Sequence, residues 1–291
     1  MGYSPGGGTD RTARKINRIF QDQKLVPSSV VVNKPGGSGA VGWLYLNNHR
    51  GNGNYLGIAT PTLITNHIAG RGQYNYTDFT PLARLFTESA VFAVAFDSPI
   101  RDWRDLVARL KKDSASVSLG SGNLDGAAPL TFGAAIKANG LEPRKLKLVV
   151  FNSAGDAITA SMGGHIDVAV VTSEGVKQQL AAGKMRALAI SSAQRLPTGA
   201  FATVPTLTEQ GVKVVAGGWR VVLGPRGMTP DQIAYWNGVF AKLVATREWA
   251  QELEAGDATN EYLDSAGTGR FLAAQYAQLK DLMTDLGLVK Q

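Results

Sequence analysis

Short β-branched and apolar runs alternate along the chain with longer stretches in which apolar positions recur every three or four residues. The runs are Val30–Val32, Tyr55–Ala59, Val91–Phe96, Val117–Leu119, Leu148–Phe151, Val168–Val171 and Ala187–Ile190. Each is read as a strand, and the stretches between them as helices, which predicts an α/β protein. The first helix should start near Thr9, with Ala13, Ile16 and Phe20 on one face and Arg11, Arg14, Lys15 and Arg18 elsewhere. Later helices should stop at Asn139-Gly140, Gly163-Gly164 and Gly183, where glycine can take the left-handed position after the last turn.

The joins between runs and helices carry the candidate chemistry. Ser4-Pro5-Gly6-Gly7-Gly8-Thr9-Asp10 empties a glycine run into the first helix. Glycines let a ligand approach the main chain, and a first helical turn offers unpaired N–H groups at the positive end of the dipole, so this loop suits a carboxylate or phosphate. Thr9 or Asp10 should cap the helix. The arrangement recurs loosely three times: Ser121-Gly122-Asn123-Leu124-Asp125-Gly126, Asn152-Ser153-Ala154-Gly155-Asp156 and Thr172-Ser173-Glu174 each follow a run and precede a helix. In an open parallel sheet, loops at the carboxyl ends of strands gather along one edge, where ligands bind. For any one loop, ordinary helix capping is the simpler explanation; their shared placement is what favours a site.

With 291 residues, 44% of them hydrophobic, the chain can bury one large core or two ordinary ones. A net charge of +7 favours anionic partners. The basic residues are scattered, however, with Arg144-Lys145-Leu146-Lys147 the densest stretch and no basic run interleaved with aromatics, which argues against nucleic acid. The absence of cysteine removes disulfides, thiolate metal sites and cysteine nucleophiles, and suits an oxidising compartment. No apolar run approaches a membrane span. The chain opens without a signal-peptide pattern and reads as a mature or an engineered form, with residues that normally precede Ser4 expected to have been removed.

Catalytic and cofactor motifs are weak. Gly37-x-Gly39-x-x-Gly42 follows the run Val30–Val32 and matches a dinucleotide fingerprint, but Ala59-Thr60-Pro61-Thr62-Leu63 puts no carboxylate where a ribose would need one. There is no phosphate-binding Gly-x-x-x-x-Gly-Lys-Ser/Thr loop and no Gly-x-Ser-x-Gly elbow, and His49, His67 and His165 lie too far apart in sequence for a metal-ligand spacing. No cofactor, metal or catalytic residue is expected. Among the tryptophans, Trp219 in Gly217-Gly218-Trp219-Arg220 is a candidate for a pocket or hinge, against a default of core packing.

Several segments together resemble the solute-binding receptors of the tripartite tricarboxylate transporter family, also called Bug receptors. They are Pro5 to Asp10, Val31 to Gly39, Tyr76 to Ala83, Gly164-His165-Ile166-Asp167, Gly183 to Ala189 and Val204 to Gly211, and they run nearly end to end. The loops around Leu124-Asp125-Gly126 and Phe151-Asn152-Ser153 look closer to the tricarboxylate-type branch than to the amino-acid-binding members. The resemblance implies a two-lobed periplasmic binding protein of type II, a Venus flytrap whose cleft takes a small carboxylate. It implies delivery to a membrane permease, a periplasmic location, a monomer and no catalysis.

On that pattern lobe one is expected to comprise 1–98 plus 225–291 and lobe two 99–224, with crossings near Asp97-Ser98-Pro99 and Trp219 to Pro225. Gly7, Gly8 and Thr9 are assigned to one carboxylate, faced by Ser121, Gly122 and Asn123. Ser38, Thr60 and Thr62 should shape the pocket from lobe one, and Asn152, Ser153 and Ser173 should complete it from lobe two. Asp10, Asp125, Asp156 and Glu174 are expected to serve helix starts, because a carboxylate beside a carboxylate ligand costs energy. Two other functions fit the same chain: a dinucleotide-dependent oxidoreductase, and a sensory module that hands its closed state to a signalling partner.

Overall fold

A computed structural model describes residues 8–122, 124, 126–196 and 199–290. Strand β2 (Phe79–Ala95) organises the molecule because its two halves belong to different sheets. Its first half pairs antiparallel with β7 (Gly217–Pro225) and β8 (Ala258–Leu263), and β7 carries β1 (Gly57–Ala59) on its far side. Its second half lies between β5 (Val168–Thr172) and β6 (Met185–Ile190), both antiparallel to it. Beyond β5 come β3 (Ser118–Ser121) and β4 (Lys147–Val150), and these three are mutually parallel in the order β5-β3-β4.

Successive strand residues point to opposite faces, so a strand covered by helices on both sides must be apolar throughout. Within β2, Ala90, Phe92 and Val94 pack with α4 (Trp103–Lys112) and α5 (Ala127–Ala138). Val91 and Ala93 pack on the other face with α6 (Ala154–Met162) and α7 (Ser173–Ala181). The first sheet is covered in the same way. Helices α1 (Gly8–Asp22), α8 (Pro230–Val244) and α9 (Arg247–Ala255) lie on one face, and α2 (Ala40–Asn47), α3 (Pro61–Ile68) and α10 (Ser265–Asp285) on the other. The four buried clusters thus cover the two faces of each sheet, and Leu130 of α5 joins the cluster under α2, α3 and α10. The expected helix ends at Gly140, Gly164 and Gly183 are present, each glycine at positive φ.

The chain changes sheets at Ser89–Ala90, ahead of the expected Asp97-Ser98-Pro99, and returns at Gly217, just ahead of the expected Trp219 to Pro225. Pairing changes partners between Ser89 and Ala90, and Gly217 lies opposite Ser89. The outgoing and returning segments therefore cross side by side. One hydroxyl ties them: Ser191 Oγ accepts from the Ala90 N–H at 2.8 Å and donates to the Ala216 carbonyl at 2.6 Å. Pro99 lies in the connection between β2 and α4, and Pro225 ends β7, which pairs with the first sheet along its whole length.

Val30–Val32 departs from expectation. It is not a strand, and Val30 is 82% exposed. Among the described residues β1 pairs with β7 alone, so the run has no strand edge to join; it borders instead an apolar cavity of about 210 Å³ between α1, α2 and β1. The Gly37–Gly42 fingerprint accordingly has no strand before it and begins in a single 3-10 turn.

One interhelix tie predicts a pH dependence. Glu252 on α9 binds Lys15 of α1 at 2.9 Å and also pairs with Arg18. Burial pushes the Glu252 carboxyl up, but the hydrogen bonds and charges of Lys15 and Arg18 outweigh this and hold it below its ordinary value of 4.5. The unfolded chain then binds the proton more readily than the folded one. The contribution is complete above the unfolded value and is lost as pH falls through the folded one. The urea midpoint should therefore drop between pH 6 and pH 3, and Glu252→Gln should remove part of that drop.

Candidate functional site

The β3–α5, β4–α6 and β5–α7 loops all leave the carboxyl ends of neighbouring parallel or aligned strands, as the sequence pattern required. Gly122 makes their packing possible. A Cβ on it would lie 2.7 Å from the Ala154 nitrogen and 2.9 Å from the Ser153 carbonyl carbon, so only glycine lets the first of these loops lie against the second. Ser121 is buried, and its carbonyl accepts from the Phe151 N–H at 2.9 Å. Ser153 caps α6, accepting from the Asp156 N–H at 3.1 Å, while Asn152 beside it is exposed. Helix α5 starts without a side-chain cap bond.

In lobe one, Thr9 is buried in the first turn of α1, and Gly8 stands at the start of that helix, half-exposed. Thr9 and Asp10 lie inside the helix rather than capping it. Asp10 is buried, where its carboxylate accepts from Arg14 and from Asn33, both at 2.9 Å. Helix α3 starts after Thr60 with Pro61 in its first turn and no side-chain cap bond; the Thr60 and Thr62 hydroxyls instead lie 2.7 Å apart. Gly7 and Asn123 fall outside the described residues, and of Ser38 only the backbone is described, within the 3-10 turn Gly37–Gly39.

Where the strands cross lies a charged pair that sequence reasoning did not assemble. Arg220 on β7 donates to both Glu88 oxygens on β2 at 2.9 Å, and to the Gly218 carbonyl at 2.9 Å. The guanidinium reaches the glycine loop: a Cβ on Gly8 would lie 3.5 Å from Arg220 Nη2. Gly218, whose carbonyl it binds, faces α5. A Cβ on Gly218 would lie 3.4 Å from Arg220 Nη1 and 3.6 Å from the Cβ of Ala127, the first residue of α5. The pair thus forms a floor beside the N-terminus of α1, with Gly218 between it and the N-terminus of α5. Arg220 was visible in sequence without a direction, and the signal for Glu88 was a lone carboxylate just before the apolar run Val91–Phe96.

Two gaps flank this floor. On one side a cavity of about 40 Å³ is bordered by Gly8, Arg11, Glu88 and Glu174. It is closed by the Arg11–Glu174 ion pair at 2.7 Å, which joins α1 to α7. On the other, a groove of about 590 Å³ runs from Pro61 past Ala127 and Gly217 between α5 and α10. Ser173 is fully buried and donates to the Asp257 carbonyl at 3.3 Å. Lys177, one turn on, pairs with Asp257 at 2.7 Å. Trp219 is core, 2% exposed, with its ring edge-on to Phe271 and its N–H donated to Gln275. Among the described residues no cluster of three or more His, Asp or Glu side chains could hold a metal ion, and no helix is long and apolar enough to cross a membrane.

Residues 13–288 match the family described as the tripartite tricarboxylate transporter family receptor. The chain belongs to this family. A TctC solute-binding protein from Polaromonas superposes with a TM-score of 0.84 at 28% identity, covering 98% of this chain and 96% of that one. Rpa4515 of R. palustris, solved with adipate, superposes with a TM-score of 0.80 at 22% identity over 99% of this chain and 95% of its own. Protein BugT of Bordetella pertussis is 24% identical over 98% of this chain and 87% of its own length. The receptor family is one of solute-binding proteins rather than enzymes, and its two-lobed periplasmic binding protein fold is the one described above.

Proposed function

We propose that this receptor captures a small organic carboxylate between its lobes and delivers it to a tripartite tricarboxylate transporter permease. On this reading it acts in the periplasm as a monomer, without chemistry of its own. Lobe one would comprise residues 8–89 and 217–290, and lobe two 90–216, pivoting at the paired crossings beside Ser191.

The observation that carries the reading is the placement of small-residue helix starts from both lobes around one floor: α1 at Gly8 and Thr9 on one side, α5 after Ser121 and Gly122 on the other. Backbone N–H groups at such starts bind anions without a full compensating charge. A carboxylate held by both would favour the closed state through contacts that the open state lacks. The adipate-bound relative supports the ligand class. Gly8, Thr9, Thr60, Thr62, Ser121 and Gly122 are the described candidates for the seat. Ser153, already a cap, would serve through its loop's backbone.

The test is a thermal-shift screen against mono-, di-, tri- and aromatic carboxylates, with nicotinamide cofactors as controls. One carboxylate class should raise the melting temperature, since binding to the native state stabilises it. A response to nicotinamide cofactors alone would overturn the reading. Thr9→Ala should weaken the responding ligand by about 1 kcal/mol, one hydrogen bond, as measured by calorimetric titration.

A further inference from the structure

We infer that Arg220 is a charge anchor for the acidic group of the ligand, held in check by Glu88, so that this pair sets affinity and ligand charge. The inference rests on the carboxylate reading above and adds to it a residue pair and a sign.

Arg220 is more than nine-tenths buried, and its Nε–H has no hydrogen-bond partner. A guanidinium carries five N–H donors, and a buried donor left unmade is costly. Nη2 is engaged by Glu88, and Nη1 by the carbonyls of Gly218 and Trp219. The group is therefore held firmly yet keeps donor capacity unused. Such a residue is unusual in a core and useful beside a ligand.

The electrostatics point the same way. The guanidinium stands within van der Waals reach of Gly8, at the start of α1, and Gly218, whose carbonyl it binds, packs toward Ala127, at the start of α5. Both helices present the positive ends of their dipoles there. Against these and the arginine, Glu88 supplies one negative charge through two 2.9 Å contacts. An arriving carboxylate meets two helix starts and a planar fork suited to it, and it competes with Glu88 for that fork. Because Glu88 and Arg220 sit on the two strands that cross between the lobes, opening the cleft is the motion that would admit the ligand to them.

The sign is what separates this role from a structural one. Were the pair only a brace, any change in it would weaken binding or leave it untouched. As a checked anchor, Glu88→Gln keeps an acceptor for Arg220 and removes the competing charge, so carboxylate binding should tighten about tenfold. Arg220→Lys should weaken it tenfold or more by losing the fork, and Glu88→Gln/Arg220→Lys should not recover the gain. The experiment is calorimetric titration of adipate, succinate, citrate and benzoate into the wild type and the three variants, with melting curves to confirm folding. Wild-type binding that Glu88→Gln leaves equal or weakens would overturn the anchor while the carboxylate reading stands. No binding of any probe by the wild type or Glu88→Gln would overturn both. Binding by Glu88→Gln alone would support the anchor.

Discussion

Gly122→Val should abolish measurable carboxylate binding, a loss of a hundredfold or more, in a protein that still folds. The added Cβ meets main-chain atoms of Ser153 and Ala154 at 2.7–2.9 Å, not flexible side-chain ends. The β3–α5 and β4–α6 loops must then separate, and overpacking of this kind costs about 1–3 kcal/mol of stability. Binding suffers more than folding, because displacing donors by even an ångström from a charged ligand forfeits their hydrogen bonds. Titration of the ligand found in the thermal screen, alongside a denaturation curve, separates the two effects. Unchanged affinity would mean that the ligand does not sit at this loop.

Trp103→Ala should produce the largest loss of stability, about 3–5 kcal/mol by comparison with other buried aromatic truncations. Trp103 is 1% exposed and packs on Phe92 at 5.4 Å and Phe132 at 5.8 Å between ring centres, at the middle of the lobe-two core. Its indole N–H makes no hydrogen bond, so the cost is one of packing and cavity formation. Because the lobe-one clusters do not include these residues, the variant should unfold in two steps, lobe two first. Calorimetry would show this as a split transition; a single transition at the wild-type temperature would contradict it.

Much of the second lobe was legible in the chain itself. Most residues of Val91–Phe96, Val117–Leu119, Leu148–Phe151, Val168–Val171 and Ala187–Ile190 fall in strands, and those in β2 and β5 are buried on both faces and so read as continuous apolar runs. The helix stops at Gly140, Gly164 and Gly183 were legible for a local reason, the positive φ that glycine supplies. Other strands were hidden. Ala258–Leu263 is a polar edge, and Phe79–Ser89 carries Arg84, Thr87 and Glu88 among its apolar residues, so neither shows a run. Val30–Val32 shows one and is no strand, because pairing depends on a neighbouring edge and not on propensity alone.

By itself the sequence determined the α/β class, the position of small-residue loops at strand ends, and the family to which the chain belongs. These rest on local chemistry: periodicity, glycine at turns, and motifs of fixed spacing. Only the tertiary structure decided where the chain changes sheets, that Ser173 bonds the Asp257 carbonyl while Gly122 packs on the next loop, and that Glu88 meets Arg220. Those outcomes depend on antiparallel register between β2 and β7, which brings together residues 132 positions apart in the chain. No local pattern encodes such a meeting, because register is set by the packing of both sheets at once.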